Sequence, residues 1–116
     1  MDETIRKIFP ARFRFFLDRK GKTQIDVSRD LDVATGTVSS WANGQKLPRV
    51  DVMQRLADYF GVRVSTLLEE DGLDVYLREE DDRALLAAYH AADPSIQAAV
   101  RKLLDIPEKS AISNAG

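Results

Sequence analysis

The stretch VATGTVSSWANG, Val33 to Gly44, contains no charged side chain, although 31% of the residues in the chain are charged. Val38 and Trp41 lie one helical turn apart, and the Asn-Gly pair that follows is typical of a helix end. The stretch therefore predicts a short helix with one apolar face. Lys and Glu are the usual residues on an opposite, solvated face. Here that face consists of small uncharged residues: Thr35, Gly36, Thr37, Ser39 and Ser40.

Another short helix is predicted just before this stretch. Thr23 is a typical N-cap residue, and Asp26, three residues later, can complete a capping box. Val27 and Leu31 form the apolar face of this helix, and the small Ser28 between them permits close crossing of two backbones. Two short helices joined by a tight turn predict a helix-turn-helix, whose second helix enters the major groove of DNA.

The chemistry of the major groove explains the uncharged face. The groove is about 12 Å wide, so a helix fits only if its outward side chains are modest in size. Serine and threonine hydroxyls can donate to or accept from base edges, and threonine methyl groups can contact thymine methyls. A carboxylate on this face would be repelled by the phosphates. The outward residues from Thr35 to Ser40 therefore form a candidate base-reading surface.

Helical spacing dominates the rest of the first 70 residues. A first helix is predicted over residues 5–19, and Pro10 would also suit a start near residue 10. A fourth helix is predicted over residues 50–60 with Gly61 as its end, and a short fifth helix follows. The core stripe of the first helix has the spacing i, i+4, i+7, i+8: Phe9, Phe13, Phe16 and Leu17. The predicted fold class is all-α, with five helices in a domain of residues 1–70.

The C-terminal third predicts a second helical region. Residues 71–78 are interpreted as a linker, residues 79–106 as a helical hairpin and residues 107–116 as a disordered tail. Asp93 and Pro94 would begin the second helix of the hairpin. The hairpin has more apolar residues than two helices can cover, which indicates an interface for dimerisation or for another protein. Packing back onto the first domain is the alternative. The apolar residues are Leu85, Leu86, Tyr89, Ile96, Val100, Leu103 and Leu104.

The charge distribution favours a nucleic-acid partner for the first half of the chain. The formal net charge is −2, but residues 1–50 hold ten Lys/Arg against six Asp/Glu, whereas residues 51–116 hold seven against thirteen. Five basic residues before the helix-turn-helix are either solubilising charge or groups that attract phosphate. They are Arg12, Arg14, Arg19, Lys20 and Lys22.

Composition excludes several other classes of protein. The chain has no cysteine and one histidine, and it lacks any catalytic, metal-binding or cofactor-binding constellation, so neither an enzyme nor a metal or cofactor site is expected. No window approaches the ~18 consecutive apolar residues of a membrane span, and no signal peptide precedes the first helix. A cytoplasmic protein without a membrane partner is expected.

Two stretches carry a resemblance to a known family. TQIDVSRDLDVATGTVSSWANGQKLPR, residues 23–49, resembles the Cro/repressor-type helix-turn-helix, also called the XRE family. QRLADYFGVRVSTLLEE, residues 54–70, is similar to the family's fourth and fifth helices. The resemblance covers about residues 5–70 and implies a five-helix, lambda-repressor-like DNA-binding domain. The hairpin is similar to tails of prophage-type members.

The resemblance also implies roles for single residues. Thr35, Gly36 and Ser40 occupy base-facing positions, with Thr37 and Ser39 at the edge of that surface. Phosphate contacts are implied for Thr23, Gln24, Asn43 and Lys46. Three departures from the family pattern stand out: Asp32 replaces a turn glycine, Ala34 replaces a serine cap, and Gly36 and Ser40 are shorter than common readers. Readout is therefore expected to depend partly on DNA shape.

The function implied is that of a sequence-specific transcriptional regulator that binds double-stranded DNA. It would be a dimeric repressor of the phage or prophage type, acting as a homodimer on a pseudo-palindromic operator, with an antirepressor or another protein as a further candidate partner of the hairpin. Two alternatives stay open. One is an antitoxin whose hairpin binds a toxin, and the other is a protein-interaction module that has lost DNA binding.

Overall fold

The computed structural model describes residues 3–107, and every regular element in that range is an α-helix. The all-α prediction is confirmed, and the chain divides after Leu77 into two compact units. The predicted tail falls mostly on residues 108–116, which lie outside the described range. The helices are α1 (Glu3–Arg19), α2 (Gln24–Leu31), α3 (Thr35–Ala42), α4 (Val50–Phe60), α5 (Val64–Leu68), α6 (Gly72–Ala91) and α7 (Pro94–Leu103).

The core of the first unit is built around the aromatic stripe of α1. Phe9, Phe13 and Phe16 are fully buried, as their spacing predicts. The Phe13 ring meets Trp41 of α3 edge-on at 5.9 Å between centroids and Phe60 of α4 at 6.0 Å. Edge and tilted contacts of this kind stabilise aromatic clusters beyond the effect of burial alone. Helices α1, α3 and α4 therefore share one core, and α1 also packs against α5.

Pro10 lies inside α1 and not in its first turn. The helix begins at Glu3, so the alternative start near residue 10 is not adopted. Proline has no N–H to donate to the carbonyl of Arg6, which normally disfavours an interior position. The apolar residues before it, Ile5, Ile8 and Phe9, are half-buried or buried, and their packing keeps the helix continuous.

Helix α6 begins at Gly72, so all but the first residue of the predicted linker, residues 71–78, are helical. Gly72 packs directly on α5, where a Cβ atom would lie 2.2 Å from the carbonyl oxygen of Ser65. Tyr76 is 7% exposed and meets the Phe16 ring edge-on at 5.1 Å. Leu73 and Leu77 pack against the same core. This spacing at 73, 76 and 77 is helical, and burial of these residues extends the first unit to Leu77.

The second unit contains the rest of α6 and helix α7. Pro94 is the first residue of α7 and Asp93 holds the N-cap position, as predicted, although the Asp93 side chain makes no capping hydrogen bond. The side-chain amide of Gln97 donates to the backbone carbonyl of Tyr89 at 2.9 Å, and this hydrogen bond joins α7 to α6. After α7 the backbone turns through Asp105, whose φ is 59°. Between residues 78 and 107 no side chain is fully buried.

Candidate nucleic-acid interface

A capping box fixes the N-terminus of α2. The Thr23 hydroxyl oxygen accepts from the backbone N–H of Asp26 at 3.1 Å, and the Thr23 N–H donates to the Asp26 carboxylate at 2.9 Å. These hydrogen bonds hold the pKa of the Asp26 carboxyl below its usual value. Gln24, the first residue of α2, is exposed beside the cap. The helix therefore presents Gln24 at its positive end, where anions bind favourably.

A left-handed residue makes the turn between α2 and α3. Asp32 has φ 55° and ψ 53°, a conformation that aspartate tolerates better than most residues. The Ser28 hydroxyl donates to the carbonyl of Val33 across the turn. The Arg55 guanidinium of α4 donates to the carbonyl of Leu31 at 2.8 Å, which satisfies a carbonyl at the end of α2. The replacement of glycine by Asp32 thus leaves the turn intact.

Helix α3 divides into an apolar and a polar face. Val38 and Trp41 are 0% and 2% exposed, which confirms the prediction that Trp41 belongs to the core. Ala34 holds the N-cap position and supplies no side-chain hydrogen bond, as the departure from the family pattern suggested. Thr35, Gly36 and Ser39 are exposed, whereas Thr37 and Ser40 are half-buried. All five predicted base-facing residues therefore lie on one eight-residue helix that packs against α1 and α2.

Two residues of α3 have local contacts that limit what they can do. The Ser40 hydroxyl donates to the carbonyl of Gly36 at 2.9 Å, so in this rotamer its hydrogen is occupied and its lone pairs remain available. A Cβ atom placed at Gly36 would meet nothing within 4 Å, and α3 has a negative φ there. The fold itself therefore does not require glycine at position 36.

The turn after α3 carries the other predicted contacts. The Asn43 side-chain oxygen accepts from the N–H of Gln45 at 3.1 Å, which leaves the two amide hydrogens of Asn43 as donors. Gly44 has φ +82° and packs on α1, where its Cβ position would lie 3.4 Å from Cγ of Pro10. The Arg14 guanidinium of α1 donates to the carbonyl of Ala42. Lys46 is exposed on the same turn.

Two of the five basic residues that precede the helix-turn-helix make contacts within the fold. The Arg12 guanidinium donates to the carbonyls of Thr66 at 2.7 Å, Glu69 at 2.9 Å and Glu70 at 2.9 Å. Burial lowers the pKa of Arg12 from its usual value. Lys22 lies 4.0 Å from the Asp30 carboxylate. Arg12 therefore holds the carbonyls after α5, which favours a structural role for its guanidinium over a direct phosphate contact.

Two further basic residues, which the sequence patterns do not indicate, lie near the turn after α3. Arg6 of α1 and Arg49 before α4 are exposed. The Cβ position of Gly44 lies 4.0 Å from the carbonyl of Arg6, which places that part of α1 beside the turn. Within residues 3–107, Arg6, Lys46 and Arg49 form no ion pair. The spacing 6, 10 and 14 on α1 is a signal that could have indicated Arg6, because it joins Arg6 to the helix face that packs on the turn.

Comparison with known proteins identifies a matching family model and a similar solved structure. A family model described as helix-turn-helix matches residues 14–67. The chain is similar to the solution structure of the SOS-response transcriptional repressor LexA from Eubacterium rectale, with 30% sequence identity and a TM-score of 0.56. That match covers 62% of this chain and 76% of the other. No curated protein matches the sequence. Within residues 3–107, no helix combines the length and apolarity that crossing a bilayer requires.

Proposed function

We propose that this chain, which belongs to the Cro/repressor-type (XRE) family of helix-turn-helix DNA-binding transcriptional regulators, is a sequence-specific repressor of the phage or prophage type. The observation that carries the proposal is the uncharged outward face of α3, which is followed directly by a turn with exposed cations. An uncharged face suits the floor of the major groove, and cations at its end suit the phosphates that border the groove. The protein would act in the cytoplasm, without a cofactor.

Base contacts are assigned to Thr35, Gly36 and Ser40, with Thr37 and Ser39 at the edge of the surface. Because the Ser40 hydroxyl donates to the Gly36 carbonyl, its oxygen is suited to accept from a base amino group, at N4 of cytosine or N6 of adenine. The missing side chain at Gly36 allows the helix backbone to approach base edges closely. Few side chains reach the bases, so DNA shape would supply part of the specificity.

Phosphate contacts are assigned to both ends of the helix-turn-helix. Thr23 and Gln24 lie at the N-terminus of α2, where backbone N–H groups and the helix dipole favour an anion. Asn43 offers its two amide hydrogens and Lys46 its ammonium group on the turn after α3. Arg6 and Arg49 add exposed positive charge around that turn. These groups would position the protein on any duplex, whatever its sequence.

The proposed active form is a homodimer on a pseudo-palindromic operator. A single helix of this kind contacts few bases, and a two-fold axis doubles the number of contacts. The two half-sites would then lie about 34 Å apart, one turn of DNA. An antirepressor or another protein could act on the hairpin to release the operator.

The first test concerns phosphate contacts. Duplexes bound by the full chain are selected from a random pool, and their affinity is measured against salt concentration. We expect a steep loss of affinity with salt, and Lys46→Ala should weaken binding to all sequences alike while lowering the salt slope by about one unit. Salt-independent binding would contradict the proposal. Failure to retain any duplex at low salt would favour the protein-interaction module.

The second test concerns base readout. Gly36→Glu should abolish protection of the selected operator, because its carboxylate would face the phosphates at close range. The unfolding midpoint should stay unchanged or rise, since nothing lies within 4 Å of a Cβ atom at this position and glycine is a poor helix former. Ala98→Glu is the matched control, because it adds the same charge to an exposed position of α7. If Gly36→Glu still protects the operator, α3 is not the recognition helix.

A further inference from the structure

An apolar groove of about 410 Å³ runs along the second unit. Both helices of the unit line it, and the residues that turn back after α7 close one part of it. Four of the lining side chains are more than half exposed: Leu85 at 67%, Leu104 at 62%, Leu86 at 54% and Ile96 at 51%. Tyr89 and Val100 contribute to its wall. The groove is therefore an uncovered surface of large aliphatic side chains.

The exposed apolar area is large for a region of this size. The exposed aliphatic side chains that line the groove, with Leu103 left out, present on the order of 500 Å² of apolar surface, within the range of the largest patch on a monomer. A standard interface buries about 800 Å² on each partner. The patch and its polar rim are therefore about as large as one side of a stable dimer interface.

The Arg101 side chain, which lines the groove, and Gln97 beside it both donate within the hairpin. The Arg101 guanidinium donates to the Tyr89 hydroxyl at 2.6 Å and to the carbonyl of Pro107 at 2.5 Å. The Gln97 amide donates to the carbonyls of Tyr89 at 2.9 Å and His90 at 3.4 Å. These donors are not directed at a ligand. The groove thus offers apolar contact and little else, which favours an apolar surface over a polar small molecule or an extended peptide backbone.

The charge of the hairpin points to no strongly charged partner. Residues 78–107 hold four Lys/Arg against six Asp/Glu, so the two signs are mixed and nearly balanced. An acidic or a basic partner would gain little from long-range attraction to such a surface. A second copy of the hairpin would meet only weak repulsion, and it supplies an apolar patch of the same size.

We infer that the groove binds the groove of a second copy of this chain, so that two hairpins form a four-helix bundle around a two-fold axis. In such an isologous contact each patch covers the other, and no apolar surface is left to recruit further copies. Bundles of this kind are held by apolar side chains that interdigitate between neighbouring helices. The inference rests on the proposed dimer and identifies its contact, but it requires nothing of the DNA surface.

Two neighbouring leucines provide a matched test. Leu104 lines the groove, whereas Leu103 is 84% exposed and does not line it. Leu103→Glu and Leu104→Glu add the same charge to the same end of α7, so any effect on the helix itself should be similar. Circular dichroism of the two full-length variants should confirm equal helicity.

Sedimentation of the full chain then measures the dimer. We expect a dimer at micromolar concentration, a dissociation constant raised about 30-fold or more by Leu104→Glu, and a value unchanged by Leu103→Glu. A wild-type chain that is monomeric at tens of micromolar would overturn the inference and leave the groove for another protein. Equal weakening by both variants, or by neither, would also overturn it.

A DNA-binding measurement separates this inference from the proposed function. Leu104→Glu should lose affinity for the selected operator but bind a duplex with one half-site as the wild type does. If the chain forms a Leu104-dependent dimer yet retains no DNA, the interface stands and the proposed function fails. If operator binding is present and Leu104→Glu changes neither it nor the mass of the protein, the interface fails alone.

Discussion

The two units of the chain use similar apolar spacing and reach opposite degrees of burial. In the first unit, Phe9, Phe13 and Leu56 are completely inaccessible to solvent. In the second unit, Leu85 and Leu104 repeat the same i, i+3 or i+4 pattern with their neighbours, yet both remain more than half exposed. The difference lies in the number of helices around each stripe. Helix α1 is surrounded by other elements, whereas the hairpin has two helices to cover one seam.

The spacing of apolar residues determines which face of a helix is apolar but not what covers that face. Burial requires enough neighbouring elements to remove the apolar area from water. The aromatic stripe of α1 finds Trp41, Phe60 and Tyr76 within the same unit. The hairpin lacks such neighbours within residues 78–107. The covered stripe of α1 is a core, whereas the stripe of the hairpin stays exposed within its own unit.

We expect the largest effect on stability when a leucine is removed from the buried core of the first unit. Leu56→Ala removes a side chain that is 0% exposed, and we expect a loss of about 4 kcal/mol of unfolding free energy from lost burial and the cavity left behind. Leu103→Ala, at 84% exposure, should cost less than about 0.5 kcal/mol. Urea unfolding followed by circular dichroism measures both. A similar cost for the two substitutions would show that the hairpin leucine is covered in solution.

The second-largest change in stability tests the C-terminal boundary of the first unit. Tyr76→Ala should cost about 3 kcal/mol, because Tyr76 is nearly buried against Phe16. The fluorescence of Trp41, the single tryptophan, reports on unfolding of the first unit. Tyr89→Ala, in the second unit, should leave the Trp41 transition in place. An unchanged transition in Tyr76→Ala would place the end of the domain near residue 70 and contradict the boundary at Leu77.

Local signals in the sequence account for most of the fold. The capping box of Thr23, the left-handed Asp32 and the first-turn Pro94 each act within one or two helical turns, so the sequence alone could indicate them. The interior position of Pro10 and the helical conformation of residues 72–78 depend on packing against other elements. In both cases apolar neighbours at helical spacing outweigh the local preference, since tertiary packing routinely overrides propensity.

Local signals in the sequence also indicate part of the candidate interface. The uncharged face of α3 can be read from the sequence, because it depends on the positions of Val38 and Trp41 alone. The role of Arg12 could not be predicted, since its carbonyl partners lie 54 to 58 residues away in the chain. The position of Arg6 beside Gly44 also depends on the contact between α1 and the turn after α3. Long-range contacts determine which basic side chains are available for phosphate.

The smallest effect concerns a hydrogen bond that joins two helices of the first unit. The Tyr59 hydroxyl of α4 donates to the Asp30 carboxylate of α2 at 2.6 Å. Burial, followed by this hydrogen bond, raises the pKa of Tyr59 to about 12. The same hydrogen bond, together with that from Arg29, holds the pKa of Asp30 below its usual value. Tyr59→Phe keeps the aromatic ring and removes the hydrogen bond. We therefore expect a loss of unfolding free energy smaller than that caused by Leu56→Ala or Tyr76→Ala.

The pH dependence of that loss identifies its origin. Because the Tyr59 pKa is higher in the folded chain than its ordinary value of about 10, its contribution is complete below pH ~10 and is lost as pH rises through about 12. Because the Asp30 pKa is lowered, its contribution is present above about pH 4 and is lost as pH falls through the folded value. The stability difference between wild type and Tyr59→Phe should therefore be constant from about pH 5 to 9 and shrink at both extremes. Urea titrations at several pH values measure it, with Tyr89→Phe in the second unit as the control. A difference that persists unchanged at pH values above 11 would show that the hydroxyl stabilises the first unit by packing and not through its bond to Asp30.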